Sequence, residues 1–358
     1  MGVALITGAA GLVGCEAARL FADRGLQIAG IDNDMRAYFF GSSASNAGNR
    51  QRLEREVKGY IHFAQDVRDL DAMEKIFHRF GRDIAVVIHT AGQPSHDWAV
   101  REPLMDFAVN ATGTLNLLEL TYRHCPQAPF IFTSTNKVYG DTPNRLAYRE
   151  LETRWEPADD DPHRAHGIDE TMSIDGSLHS IFGASKTAAD LMVQEYGRYR
   201  GMNTVCFRAG CLTGPAHQGA ELHGFLAYLV RCAVRQAPYT VHGYKAKQVR
   251  DNIHAEDLVE AFWQFFERPR PAAVYNIGGG RQANCSMREA IALVEAATGR
   301  PFAWNYREPA RTGDHRWWIS DLRKFQADYP GWKLRHGIED IVAELVEAQQ
   351  MALQSAAQ

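Results

Sequence analysis

The stretch that most restricts the fold lies near the amino end, where "VALIT" (3–7) runs directly into "TGAAGLVGCE" (7–16). A short, continuously apolar run of this kind suits a strand buried on both faces. Beyond the glycine-rich turn, Leu12, Val13, Ala17, Leu20 and Phe21 recur at the spacing of one helix face. Strand, glycine turn and helix in that order form a phosphate cradle. Gly8 permits the tight turn, Gly11 lets the backbone approach a pyrophosphate, and Gly14 lets helix pack closely on strand. Ala10, Leu12 and Val13 complete the turn, where free helix N–H groups and a partial positive charge suit phosphate oxygens. The spacing is GxxGxxG, which differs from the GxGxxG of many dinucleotide sites.

Asp32 ends the next apolar run, "LQIAGID" (26–32), about 20 residues past the glycines. A carboxylate there, followed by Asn33, accepts bonds from ribose hydroxyls and repels a 2′-phosphate, so NAD is expected rather than NADP. Arg36, a few residues on, is the feature that leaves NADP open. Further strands are read at "AVVIHTA" (85–91), "FIFTST" (130–135) and "TVCFRAG" (204–210), with helices near 69–79, 104–123 and 183–199. Alternation of this kind predicts an α/β fold: a Rossmann-like doubly wound parallel sheet with a smaller, discontinuous C-terminal domain. Residues 1–210 form the expected cofactor domain, with 250–275 returning to it, and 211–358 mainly the substrate domain. The charged, poorly periodic stretch 141–178 is expected to run over the active site, since long loops in compact domains are usually functional.

Composition narrows the partners. A formal charge of −4 gives no drive toward nucleic acid or an anionic membrane. Apolar runs such as "IAVVI" (84–88) are far too short to span a bilayer. The amino end lacks the positive charge of a signal peptide. Six cysteines with no CxxC pair suit reduced thiols, hence a cytoplasmic setting. No metal site is expected, because there is no HExxH and "HRAH" (163–166) falls in the irregular stretch.

Several segments in order, "HTAGQPSHDWA", "FTSTNKVYGD", "ETRW", "LHSIFGASKTAADLMVQEYGRY", "FRAGCLTGP", "AKQVRDNIHAEDL" and "NIGGG", resemble the extended short-chain dehydrogenase/reductases. The resemblance runs from residue 3 to about 345. Within that group it is greatest to the CDP-paratose (tyvelose) 2-epimerases, which implies an NAD-dependent enzyme acting on a nucleotide sugar, a CDP-sugar foremost. It implies that Asp66 and Val67 hold the adenine end, that Ala91 and Gly92 line the cofactor, and that Asn110 sits near the site. Thr135 falls at the catalytic Ser/Thr position and Lys186 at the catalytic lysine. Gln93, Asn136, Arg208, Arg250 and Arg316 are the implied substrate contacts, with Asp251 orienting Arg250 and Arg311 a further phosphate or base contact. It also implies a homodimer or tetramer built on helices 104–123 and 183–199.

One position departs from the pattern. In "HSIFGASK" (179–186), Phe182 stands where the family has its catalytic tyrosine, four residues before Lys186. A benzyl side chain cannot move a proton. Either Lys186, His179, Tyr148 or Asp141 serves as base, or the chain binds its ligands and turns over little, or the reaction differs. A UDP-sugar epimerase with another base belongs to these alternatives. Dehydration is disfavoured, because Asn136 and Lys137 occupy the places of the acid pair that dehydratases of this fold carry.

Overall fold

The computed structural model describes residues 2–357 apart from 218, 222 and 312, with side chains described up to residue 354. Eight strands organise the chain: β1 (Val3–Thr7), β2 (Gln27–Ile31), β3 (Ile61–Phe63), β4 (Ile84–His89), β5 (Phe130–Thr135), β6 (Thr204–Ala209), β7 (Val249–His254) and β8 (Ala273–Ile277). Seven of them form one parallel sheet in the order β8-β6-β5-β4-β1-β2-β3. Every residue of β1 is buried, as its unbroken apolar run demands. Strand order reverses between β1 and β4. In such sheets ligands settle outside the carboxyl ends of the strands at that reversal.

Eight helices matter here: α1 (Leu12–Asp23), α2 (Leu70–Phe80), α3 (Gly113–His124), α4 (Ile181–Arg200), α5 (Phe225–Arg235), α6 (Ala255–Glu267), α7 (Met287–Thr298) and α8 (Ile338–Ala357). On one face of the sheet α1 packs against α6, with the Phe21 and Trp263 rings 5.1 Å apart edge to face. On the other face α2, α3 and α4 bury Phe77, Leu117, Leu118 and Val193. Each such side chain contributes about 1.5–3 kcal/mol by leaving water. The expected helix at 104–123 is broken by a π-helical turn at Ala108–Thr112.

The second lobe has its own core, built from Leu229 and Val230 of α5, Ile291 and Val294 of α7, and Ile341 and Leu345 of α8. Helix α6 and strand β8 join the large lobe, whereas β7 lies in a small sheet beside Cys211–Thr213, Asn284–Ser286 and Trp317–Trp318. Further on, Phe325, Tyr329 and Trp332 return to the large core, which the sequence reading did not foresee.

The excursion 141–178 takes a course other than the one expected. It lines no part of the central cavity described below. A hairpin pairs Tyr148–Glu150 with Trp155–Pro157 and is pinned by Arg154 to Glu289 and by Arg281 to Glu156. Ile168 then bonds Ile319 and Asp321, and its carbonyl accepts from Asn276. The segment is a strap across the small sheet, made by ion pairs that local periodicity does not announce.

Candidate active site

A cavity of about 870 Å³ opens at the carboxyl ends of β1, β4 and β5. Gly8, Gly11, Leu12 and Val13 line one end of it, together with Asp32, Asn33, Asp66 and Val67. Gly8 has φ +67, the left-handed region glycine tolerates best. A Cβ on Gly14 would lie 2.1 Å from the Gly8 carbonyl oxygen, so only glycine lets α1 approach β1 this closely. Helix α1 begins after Gly11 with no side chain capping its first N–H groups, which leaves those donors for an anion. Ala10 does not line the cavity. Its N–H donates to Asp32 Oδ2 at 3.0 Å and fixes the carboxylate, whose pKa burial raises. This is a cradle whose close approaches fit a dinucleotide.

The middle of the cavity is lined by Ala91, Gly92, Gln93, Thr135, Asn136, Phe182 and Lys186. Asn110, on the π-helical turn, grips the segment after β4: its Oδ1 accepts from Gln93 N and its Nδ2 donates to Gln93 O and Ser185 Oγ. Thr135 Oγ1 accepts from Lys137 N at 3.2 Å, so its own hydrogen is available to a ligand oxygen. Lys186 donates to the Thr133 carbonyl at 2.9 Å and lies 4.2 Å from the centre of the Phe132 ring. Burial lowers its pKa to about 8, against the pull of Asp190. Phe182 packs edge to face on His96, ring centres 4.9 Å apart. His96 Nδ1 bonds Ser180 Oγ, the cap of α4, and burial, then the charge of Lys137, pushes its imidazole down to about 4.

The far end is cationic. Arg250 and Arg311 line it with the carboxylates Asp314 and Glu221. Arg250 Nη2 donates to Asp314 Oδ1 at 2.9 Å. Burial would raise Asp314, but Arg250 and then Lys137 outweigh it and hold its carboxyl below the usual range. Asp251, expected to orient Arg250, instead accepts from Ser320 N, and burial raises it to about 6. Asp314 does that work, and nothing local in the sequence marks it.

Other expected residues fall outside the cavity. Arg208 points into the protein, where Asp190 accepts from it at 2.8 and 3.2 Å and it donates to Tyr139 Oη. Arg316 lies against the rings of Trp155, Tyr148 and Tyr244. Among the candidate bases, His179 bonds Ser177 and the Ile174 carbonyl, Tyr148 donates to the Pro143 carbonyl, and Asp141 accepts from Arg145 and Leu178 N. None of the three reaches the cavity. Lys137 and His96, which the sequence reading did not nominate, do reach it.

Fold and cradle together define a dinucleotide-binding α/β enzyme whose second lobe shares one cavity with the cradle. The defining pattern of the NAD dependent epimerase/dehydratase family matches residues 4–278, and the chain belongs to that family. Its cofactor is accordingly NAD. The chain is 30% identical over 327 residues to the CDP-paratose 2-epimerase of Salmonella typhi, covering 89% of this chain and 91% of that protein. It is 27% identical to UDP-glucose 4-epimerase 2 of Arabidopsis thaliana, over 95% of this chain and 93% of the other. The structure of the Thermus thermophilus UDP-glucose 4-epimerase in complex with NAD superposes with a TM-score of 0.76 at 26% identity, covering 98% and 99% of the two chains. Among the described residues, no helix is long and apolar enough to cross a membrane.

Proposed function

We propose that this protein is an NAD-dependent nucleotide-sugar epimerase, and specifically that it inverts C2 of a CDP-hexose. One observation carries the reading: the dinucleotide cradle, Thr135, Lys186 and Arg250 open into one cavity. When bound, the dinucleotide supplies reversible hydride exchange with a sugar carbon. Lys186, on the cavity wall, would hold the nicotinamide ribose. The Thr135 hydroxyl donates to the sugar oxygen as it gains negative or carbonyl character. The planar fork of Arg250, oriented by Asp314, takes diphosphate oxygens, for which a guanidinium is better shaped than an ammonium. Asn136 is left to face the sugar, because the Gln93 amide, expected there too, is taken up by Ser95 and Asp106. The choice of CDP and of C2 rests on the likeness to the Salmonella typhi protein.

The reading extends to a homodimer or tetramer. Leu104 (86% exposed) and Phe107 (50%) next to α3, with Ile181 (42%) and Leu191 (41%) on α4, leave an apolar surface that a second copy would cover.

The test is direct. Purified protein is incubated with CDP-, UDP-, GDP- and dTDP-hexoses while reduced-nicotinamide absorbance and product stereochemistry are followed. A transient and a C2-inverted CDP-hexose are expected. If none of the nucleotide sugars gives a transient or a product, the chain is instead a binding protein that retains the cradle.

A further inference from the structure

The epimerase reading leaves a chemical gap. An alcohol cannot be oxidised unless something takes its hydroxyl proton, and Phe182 cannot. The replacement must face the cavity, have a free lone pair near neutral pH, and hold the proton until it is returned. His179, Tyr148 and Asp141 lie outside the cavity. Lys186, whose amine burial also brings to about 8, is already committed: it donates to the Thr133 carbonyl, lies against the Phe132 ring and is assigned above to the nicotinamide ribose. His96 is held neutral, and its conjugate acid is too strong to keep a proton through the oxidised stage.

Lys137 remains. It sits on the short 3₁₀ turn Asn136–Tyr139 that leaves β5, two residues past Thr135, and lines the same cavity as Phe182. Its backbone carbonyl lies 3.1 Å from where a Cβ on Gly183 would stand, so the turn abuts the start of α4 beside Phe182. Among the described residues, its amine makes no hydrogen bond or ion pair, although the Asp314 carboxylate is near enough to act on it through its charge. A lysine half-buried in a cavity wall without a partner is costly as an ammonium, and it invites either deprotonation or an anion brought by the ligand. The charged and titratable groups around it are Asp314, Arg250 and Cys211, with His96 and His315 also feeling its charge. Burial dominates among these influences and brings the amine to about 8, with Arg250 adding to the fall and Asp314 opposing it.

We infer that Lys137 is the acid–base catalyst of this site, occupying the chemical role that a tyrosine at position 182 would fill. The assignment rests on the epimerase reading above. The sugar carbinol gives one hydride to the dinucleotide and its hydroxyl proton to the neutral Lys137 amine, leaving a ketone and an ammonium. Return of hydride to the opposite face and of the proton from Lys137 to oxygen restores an alcohol with inverted configuration, so atoms and electrons balance.

Two measurements test it. Competitive acetylation across pH 6.5–11, read by peptide mass spectrometry on the NAD-loaded protein without nucleotide sugar, reports the titration of Lys137 independently of turnover. Half-labelling near pH 8 is expected; half-labelling near the free-lysine value of about 10.4 overturns the assignment. In kinetics, Lys137→Met and Lys137→Arg should each lower kcat by about 10²–10⁴-fold, the range for loss of a positioned acid–base group, with NAD retention unchanged. Adding Phe182→Tyr to Lys137→Met should restore at least a tenfold share of kcat. If Lys137→Arg keeps wild-type kcat while Lys137→Met raises only KM, the residue reads an anion on the substrate and the assignment falls. Wild-type protein inert toward every nucleotide sugar removes the epimerase reading and this assignment together, whereas turnover that survives Lys137→Met removes the assignment alone.

Discussion

The two ends of the cavity were specified in different ways. At the cradle end, recognition is made by backbone: Gly8, Gly11 and Gly14 create room, the uncapped start of α1 offers N–H groups, and Ala10 N–H sets Asp32. At the cationic end, the groups on offer are long side chains whose direction depends on partners far away in the chain. Arg250 meets Asp314 in the cavity, whereas Arg208, also on a strand, turns inward to Asp190. Spacing encodes the first kind of site and hardly constrains the second.

Substitutions can break this contrast or sharpen it. The largest effect is expected of Gly14→Ala, whose methyl would overlap the Gly8 carbonyl; NAD content and thermal melting should show loss of cofactor or of folded protein. Wild-type NAD affinity in that variant would mean that the turn is not the constraint. Next comes Arg208→Met, which takes the ion-pair partner from the buried Asp190 carboxylate, leaving it only Ser134 and Gln194, and should cost about 3–5 kcal/mol in denaturant titration while leaving nucleotide-sugar affinity unaltered. A KM change there would restore Arg208 to the substrate. Arg250→Met should do the reverse, weakening nucleotide-sugar binding about 10–100-fold by loss of charged hydrogen bonds, with NAD affinity intact. Arg316→Met is expected to be smallest, about 0.5–2 kcal/mol of stability from lost ring contacts and no change in KM.

Much of the frame was legible in residues 1–135. Strand β1 falls where its apolar run places it, because a strand covered on both faces is apolar nearly throughout, and β5 is marked by the apolar half that precedes its polar, cavity-facing end. The cradle was legible for the same local reason. The course of 141–178 was not, since Arg154–Glu289 and Arg281–Glu156 join residues more than a hundred positions apart. Nor was the fate of Arg316, whose aromatic surroundings come from the 148–157 hairpin and from Tyr244, far apart in the chain. Lys137 was visible as a non-carboxylate in the sequence, but only the cavity shows that its amine lacks a partner. The π-helical turn carrying Asn110 had no periodic signature to give it away.

Strand β8 completes the edge of the large sheet, yet it is made only after more than sixty residues have followed β6. While the ribosome is still translating that interval, β6 presents an unpaired edge of N–H and C=O groups, a template for any other extended chain nearby. A product truncated near residue 210 should therefore cling to itself or to chaperones rather than persist as a soluble nucleotide-binding half. The two lobes, distinct in the finished molecule, are obliged to mature as one unit.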